Sequence, residues 1–185
     1  MFRHSALVAV LLALVVSVAK ATVLVPLDFR EAVAAASVIV RGHVTDVRAF
    51  SAPTGVESAV TVAVDAVLKG NADAFLTVRV PGGTLGRYRY IFVGAPTFAV
   101  NDQAFLLLKR GPDNALRLVG LSQGLFRIQL PTGASQPVVA PPPVAPVTAS
   151  TGQIVRGDVR RRAMSVSEFE SLVRQVMAAP TGGSQ

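Results

Sequence analysis

One stretch of the chain decides the fold class: Val60-Thr61-Val62-Ala63-Val64-Asp65-Ala66-Val67-Leu68. Successive side chains of an extended chain point to opposite faces, so apolar residues at every second position mark a strand with one buried face. The two faces are Val60, Val62, Val64 and Leu68 on one side and Thr61, Ala63 and Asp65 on the other. The stretch at 38–45 alternates in the same way, and both predict half-buried antiparallel strands.

Working outward, five further candidate strands follow as far as Leu130, separated by segments rich in Gly, Pro, Asn and Asp. Alternation places Tyr88, Tyr90 and Phe92 on the core side of one of them. The run 104–108 is apolar on both faces, which predicts that another element covers it. Many short strands with such spacing predict a mainly β fold, a small antiparallel OB-like barrel or a partly open barrel.

A helix is expected at each end of this domain. Asp28 and Glu31 have the spacing of a capping box, so a short N-terminal helix should begin there. Ser165 or Ser167 can cap a C-terminal helix over 165–179, with apolar residues at helical spacing along one side. That helix is expected to fold back over an open barrel end. The alternative is that it docks into a groove on a partner protein.

The expected organisation is a signal peptide at 1–21, a barrel at 22–130, a Pro-rich and Arg-rich linker at 131–164, and the helix. Because of its prolines, the stretch 131–150 is expected to hold no strand or helix. An apolar run from Ala6 to Ala19 precedes small residues at Ala19 and Ala21, as at a signal-peptidase site. Cleavage after Ala21 predicts a secreted or periplasmic chain without a membrane span. An uncleaved N-terminal anchor is the alternative.

Composition narrows the class of protein. The chain has 185 residues, of which 51% are apolar and 16% charged, and this predicts one folded domain rather than a disordered chain. Loss of residues 1–21 lowers the basic residues from 18 to 16 against 11 acidic ones, which leaves a net charge of +5. Cysteine is absent, so disulfides, thiolate nucleophiles and cysteine metal sites are excluded.

Several segments carry a resemblance to known proteins. They are 38–44, 62–70 with its Leu68-Lys69-Gly70 end, Pro81-Gly82-Gly83, 94–98 and 121–126. The pattern resembles a group of uncharacterised secreted bacterial proteins. More distantly it is similar to netrin-like, OB-type barrels such as the tissue inhibitors of metalloproteases, over about Asp28 to Leu130. Those inhibitors use an N-terminal cysteine that this chain lacks, so the resemblance implies a fold and not a protease-binding residue.

Catalytic chemistry finds little support in the sequence. After Ala21 the chain has a single histidine, His43, and no G-x-S-x-G motif. No cluster of histidines or acids has metal-ligand spacing. We therefore expect no catalytic residue, no cofactor and no metal. A weak hydrolase that uses His43 or a carboxylate is an alternative.

Arginines are the candidate binding residues. Alternation places five of them opposite the apolar faces of their strands, and three more form a run in the linker. They are Arg79, Arg87, Arg89, Arg117 and Arg127, with Arg160, Arg161 and Arg162. We expect a secreted, non-catalytic binding module that engages another protein, with an exported protease as the concrete case. Binding of a polyanion or acidic glycan by these arginines is the alternative, with no specific nucleic-acid site.

Overall fold

The computed structural model describes residues 27–142 and 162–179. The expected signal peptide, its cleavage site, and Arg160 and Arg161 lie outside these residues. The helices are α1 (Phe29–Ala35) and α2 (Val166–Ala178). The strands are β1 (Val38–Ala52), β2 (Gly55–Lys69), β3 (Phe75–Pro81), β4 (Gly83–Leu85), β5 (Tyr88–Tyr90), β6 (Gln103–Arg110), β7 (Leu116–Leu118), β8 (Leu125–Gln129), β9 (Val138–Ala140) and β10 (Met164–Ser165).

Five strands form a ring. Their order is β1-β2-β3-β7-β6, and β6 pairs back onto β1 from Val38 to His43. All of these pairings are antiparallel except β3 with β7, which meet in parallel at Val78 and Leu116. From β6 the sheet continues through β8, β9 and β10. The expected mainly β, partly closed barrel with a helix at each end is confirmed.

Two apolar cores lie on the two sides of β6. Ala104, Leu106 and Leu108 pack inside the ring with valines of β1, β2 and β3. Phe105 and Leu107 point the other way, into a core shared with both helices. The prediction that a further element covers this strand is confirmed, because alternate side chains of its buried stretch 104–108 pack into the two cores.

The two helices begin where their caps predict. Asp28 and Glu31 form the capping box of α1, and Ser165 and Glu168 form that of α2. Phe169 of α2 is buried with its ring 4.5 Å from Phe105 between centroids. Neither helix is long and apolar enough to cross a membrane.

The position of α2 differs from the one expected. The helix does fold back onto the barrel, but it covers the outward faces of β6 and β8 rather than an open barrel end. Its apolar stripe binds within its own chain, because Phe169 and Val173 are both fully buried there. A salt bridge of 2.8 Å between Glu170 and Arg41 further attaches the helix to β1.

One strand lies inside the segment expected to hold none. Val138 and Val139 of β9 pair with Gln129 and Ile128 of β8, so the expectation of a strand-free stretch is wrong at this point. Prolines interrupt a ladder only where a backbone N–H is needed. Here Pro137 and the next proline flank the three-residue strand and leave its own N–H groups intact.

Candidate binding site

A short hairpin forms a separate two-stranded sheet beside the barrel. Strands β4 and β5 pair only with each other, through Gly83 with Tyr90 and Leu85 with Tyr88. Their loop is two residues long, and its first residue, Gly86, has φ of 61°. Glycine at this position is what tight hairpin loops favour, because other residues resist a positive φ.

The base of the hairpin is closely packed. Gly82 has φ of 89°, and a Cβ atom there would lie 2.8 Å from the carbonyl oxygen of Tyr90. The buried hydroxyl of Ser58 donates a hydrogen bond of 2.8 Å to the carbonyl of Gly82, and the N–H of Gly82 donates to Val56. The hairpin is therefore held in a fixed direction by backbone contacts that only glycine permits.

The hairpin and the residues after it expose large side chains. We call residues 87–93 the aromatic–arginine surface; its members are Arg87, Tyr88, Arg89, Tyr90, Ile91, Phe92 and Val93. Ile91 is 79% and Val93 87% exposed, and Tyr88, Tyr90 and Phe92 are each close to half exposed. The prediction that those three aromatic residues face the core is wrong. Tyr88 and Tyr90 lie in β5, which pairs only with β4 and is exposed at all three of its residues, and Phe92 follows it. Alternation in this strand therefore does not mark a buried face.

A cleft of about 360 Å³ lies beside this surface. Hairpin residues line the cleft, among them Arg89 and Tyr90, and residues of the following segment, including Phe92 and Phe98, line it as well. Valines of the barrel core, including Val60, line its base. Aromatic, aliphatic and cationic groups thus converge on one concave region next to an exposed apolar edge.

Arg87 and Arg89 differ from the other candidate arginines in what they contact. Both are exposed, and neither forms an ion pair within the part of the chain that the structure describes. The guanidinium of Arg87 lies over the ring of Tyr88, 5.0 Å from its centroid. Their charges are available to a ligand at this surface.

Arg79 and Arg117 form salt bridges with acidic residues of their own chain. Arg117 donates two hydrogen bonds, of 2.9 and 3.3 Å, to the buried carboxylate of Glu57 and one of 3.0 Å to Asp113. Arg79 forms a 3.0 Å salt bridge with the same Asp113. The hydrogen bond from Arg117 is the largest cause of the lowered pKa of Asp113, and Glu57 in turn raises the pKa of Arg117.

Arg127 holds a loop rather than facing solvent. It forms a 2.6 Å salt bridge with Asp102 and a short hydrogen bond to the carbonyl of Thr97, and its guanidinium lies 5.6 Å from the ring centroid of Phe98. Arg162 is exposed at the start of the second described segment. Among the described residues the candidate arginines fall into separate groups. Arg79 and Arg117 share Asp113, Arg127 pairs with Asp102, and Arg87 and Arg89 lie on the hairpin.

His43 has an acidic neighbour that the sequence did not single out. Its Nδ1 lies 3.2 Å from Oδ1 of Asp65, and both side chains are about two-fifths exposed. The register explains this pair, because β1 and β2 place residue 43 opposite 63. Among residues 27–142 and 162–179, no three histidine or acidic side chains come together as metal ligands would.

Sequence reasoning did not single out Ile91 and Val93, the two most exposed large apolar residues of the described chain, or the hairpin beside them. A signal was present. Pro81-Gly82-Gly83 followed by Leu85-Gly86-Arg87-Tyr88 is the pattern of a bend and then a two-residue hairpin loop. Comparison with known proteins found no match: no family model matches the chain, and no curated protein matches it.

Proposed function

We propose that this protein is a secreted or periplasmic, non-catalytic module that binds another protein through the aromatic–arginine surface. The observation that carries the proposal is the exposure of Ile91 and Val93 beside the three aromatic residues and two arginines. Contiguous apolar patches of this kind mark interaction sites in soluble proteins. Tyrosine and arginine are also the residue types enriched where protein interfaces concentrate their binding energy.

The aliphatic side chains favour a protein over a charged polymer. Phosphates and acidic sugars gain from arginine and from stacking on tyrosine, but an isoleucine or valine offers them neither contact. An apolar pocket on a protein gains from both residues. Full burial of Ile91 and Val93 contributes about 3–5 kcal/mol in total, before the cost of association.

The fixed base of the hairpin suits this role. Its direction is fixed at Gly82 and by the hydrogen bond from Ser58, so little flexibility is lost on binding. An exported protease is the first partner to test, because the sequence resembles the fold of protease inhibitors. No residue of those inhibitors is carried over, since their N-terminal cysteine has no counterpart here.

Site-specific photocrosslinking tests the proposal. Benzoylphenylalanine replaces Tyr90 in one full-length sample and Phe75 in another. Phe75 is a matched control because it is 62% exposed but lies at the start of β3, outside the hairpin. Each sample is irradiated in the envelope and culture-fluid fractions of the producing cells, and crosslinked proteins are identified by mass spectrometry.

The expected result is one protein crosslinked from position 90 and absent at position 75. This crosslink should disappear when the protein with benzoylphenylalanine at position 90 also carries Ile91→Asp and Val93→Asp. If the product is a secreted protease, its peptide hydrolysis rate should change on addition of the pure protein. The same products from both positions, unaffected by the two aspartates, would contradict the proposal.

Polyanion binding is a second candidate, and one observation favours it. Arg87 and Arg89 are exposed without acidic partners next to the exposed rings of Tyr88 and Tyr90. Retention on heparin that falls steeply with salt would support this function. Replacement of both arginines by alanine should then reduce retention more than replacement of Arg160, Arg161 and Arg162.

A further inference from the structure

A second cleft lies away from the hairpin, between the two helices and strands β8 and β9. We call it the helix cleft. Its volume is about 430 Å³, within the range of about 300–1,000 Å³ that is usual for small-molecule pockets. It is bounded by the ends of both described segments, since Leu27, Pro141 and Arg162 line it.

The interior of the helix cleft is apolar. Rings of Phe29, Phe126 and Phe169 form its base, with the ring of Phe29 5.6 Å from that of Phe126 and 5.7 Å from that of Phe169. Leu172 and Val176, on the apolar side of α2, form a wall and are only half buried. Apolar surface that the described residues leave uncovered is therefore concentrated in a concave region.

Two arginines stand among the residues that line this cleft. Arg30 and Arg162 are both exposed, and neither forms an ion pair among the described residues, although Arg162 contributes to the lowered pKa of Glu168. The one acidic residue in the lining is Asp28, whose carboxylate accepts a hydrogen bond of 2.8 Å from the N–H of Arg30 within the helix cap. The available charge beside the cleft is thus positive.

We propose that the helix cleft binds a long-chain fatty acid, with the acyl chain against the phenylalanine base and the carboxylate between Arg30 and Arg162. The apolar interior complements the acyl chain of this ligand, and the cationic groups beside it complement the carboxylate. One chain suits the volume, which lies toward the lower end of the range for ligand pockets. This site is separate from the aromatic–arginine surface, and its test does not depend on the proposed protein partner.

Fluorescence of cis-parinaric acid tests the proposal on the chain from residue 22 to 185. Its emission rises when the chain leaves water, and the protein has no tryptophan to interfere. We expect saturable binding of one probe per protein with a dissociation constant of about 1 μM. Palmitate should displace the probe, and hexadecanol, which has the same chain without the charge, should do so at least about tenfold less well.

Paired variants locate the site. Leu172→Asn should weaken probe binding at least about tenfold, whereas Met177→Asn, on the same helix outside the cleft, should not change it. Arg30→Glu with Arg162→Glu alters only exposed side chains, so folding is preserved, and should weaken palmitate more than hexadecanol. Arg48→Glu with Arg174→Glu removes the same charge elsewhere on the surface and should have no such effect.

Three outcomes would overturn the proposal. The first is the absence of saturable probe binding. The second is equal binding by the Leu172→Asn and Met177→Asn variants, or equal displacement by palmitate and hexadecanol. The third is binding that occurs only after Leu24→Asp, because the apolar residues before Leu27 would then be the natural occupant of the cleft.

Discussion

The guanidinium groups of this protein fall into two classes by what they contact. Arg117 is fixed by two carboxylates, and Arg127 by a carboxylate and a carbonyl, so both hold parts of the barrel together. Arg87 and Arg89 project from a hairpin with no acidic partner in the described residues. Alternation predicts the same outward direction for all four arginines, so the role of each depends on the neighbours that the fold supplies.

Removal of a fixed guanidinium should cost stability. Arg117→Ala leaves the carboxylate of Glu57, only 6% exposed, without its two hydrogen bonds. We expect a loss of about 2–4 kcal/mol in the free energy of unfolding, measured with urea. Arg79→Ala removes an exposed pair and should cost less than about 1 kcal/mol. Equal losses for the two variants would show that the contact between Arg117 and Glu57 contributes no more to stability than the exposed pair of Arg79 and Asp113.

The cap of α2 should make stability depend on pH. The N–H of Ser165 donates a 2.7 Å hydrogen bond to Glu168, and this bond is the main cause of the lowered pKa of that carboxyl. A carboxyl with a lowered pKa stabilises the fold above its ordinary value of 4.5 and loses this effect as the pH falls through the lowered one.

Glu168→Gln should therefore destabilise the protein at neutral pH and have progressively less effect below about pH 4.5. Urea midpoints measured across this range give the difference directly. Asp73→Asn provides the baseline, because this exposed acid forms no hydrogen bond or ion pair among the described residues. A destabilisation by Glu168→Gln that is the same at every pH would contradict the role assigned to the cap.

Among the elements, the hairpin shows which features alternation along the sequence can predict and which it cannot. Alternation correctly predicted the strands of the barrel, and the apolar run at 104–108 correctly predicted a covering layer. The same rule failed for Tyr88, Tyr90 and Phe92, because it states which residues share a face and not what lies against that face. That information depends on contacts between distant segments, such as the one between Ser58 and Gly82.

The base of the hairpin should not tolerate a side chain. Gly82→Ala requires a Cβ atom 2.8 Å from the carbonyl oxygen of Tyr90 at φ of 89°, and we expect it to cost about 2–3 kcal/mol. Amide exchange at residues 88–90 should become faster. Gly86→Ala is the matched control, since its Cβ meets no atom within 4 Å, and should cost about 1 kcal/mol for φ alone. Comparable losses would show that the base is not rigid.

At the scale of the whole molecule, the fold was more predictable than the site. Periodicity, capping boxes and turn residues are local, and they predicted the mainly β barrel and both helices. Arg79 pairs with Asp113 across 34 residues of sequence, Arg117 with Glu57 across 60 and Arg127 with Asp102 across 25. These three arginines therefore could not be distinguished from Arg87 and Arg89 by the sequence. For the same reason the sequence did not single out Ile91 and Val93 as parts of one exposed surface.

The central claim is that the aromatic–arginine surface binds a protein, and one comparison tests it most directly. The partner identified by crosslinking is immobilised, and its affinity is measured for the wild type, Ile91→Ser with Val93→Ser, and the exposed control Phe75→Ser. We predict at least about tenfold weaker binding for the double variant and no change for the control. Equal affinities of all three proteins would contradict the claim and place the contact elsewhere.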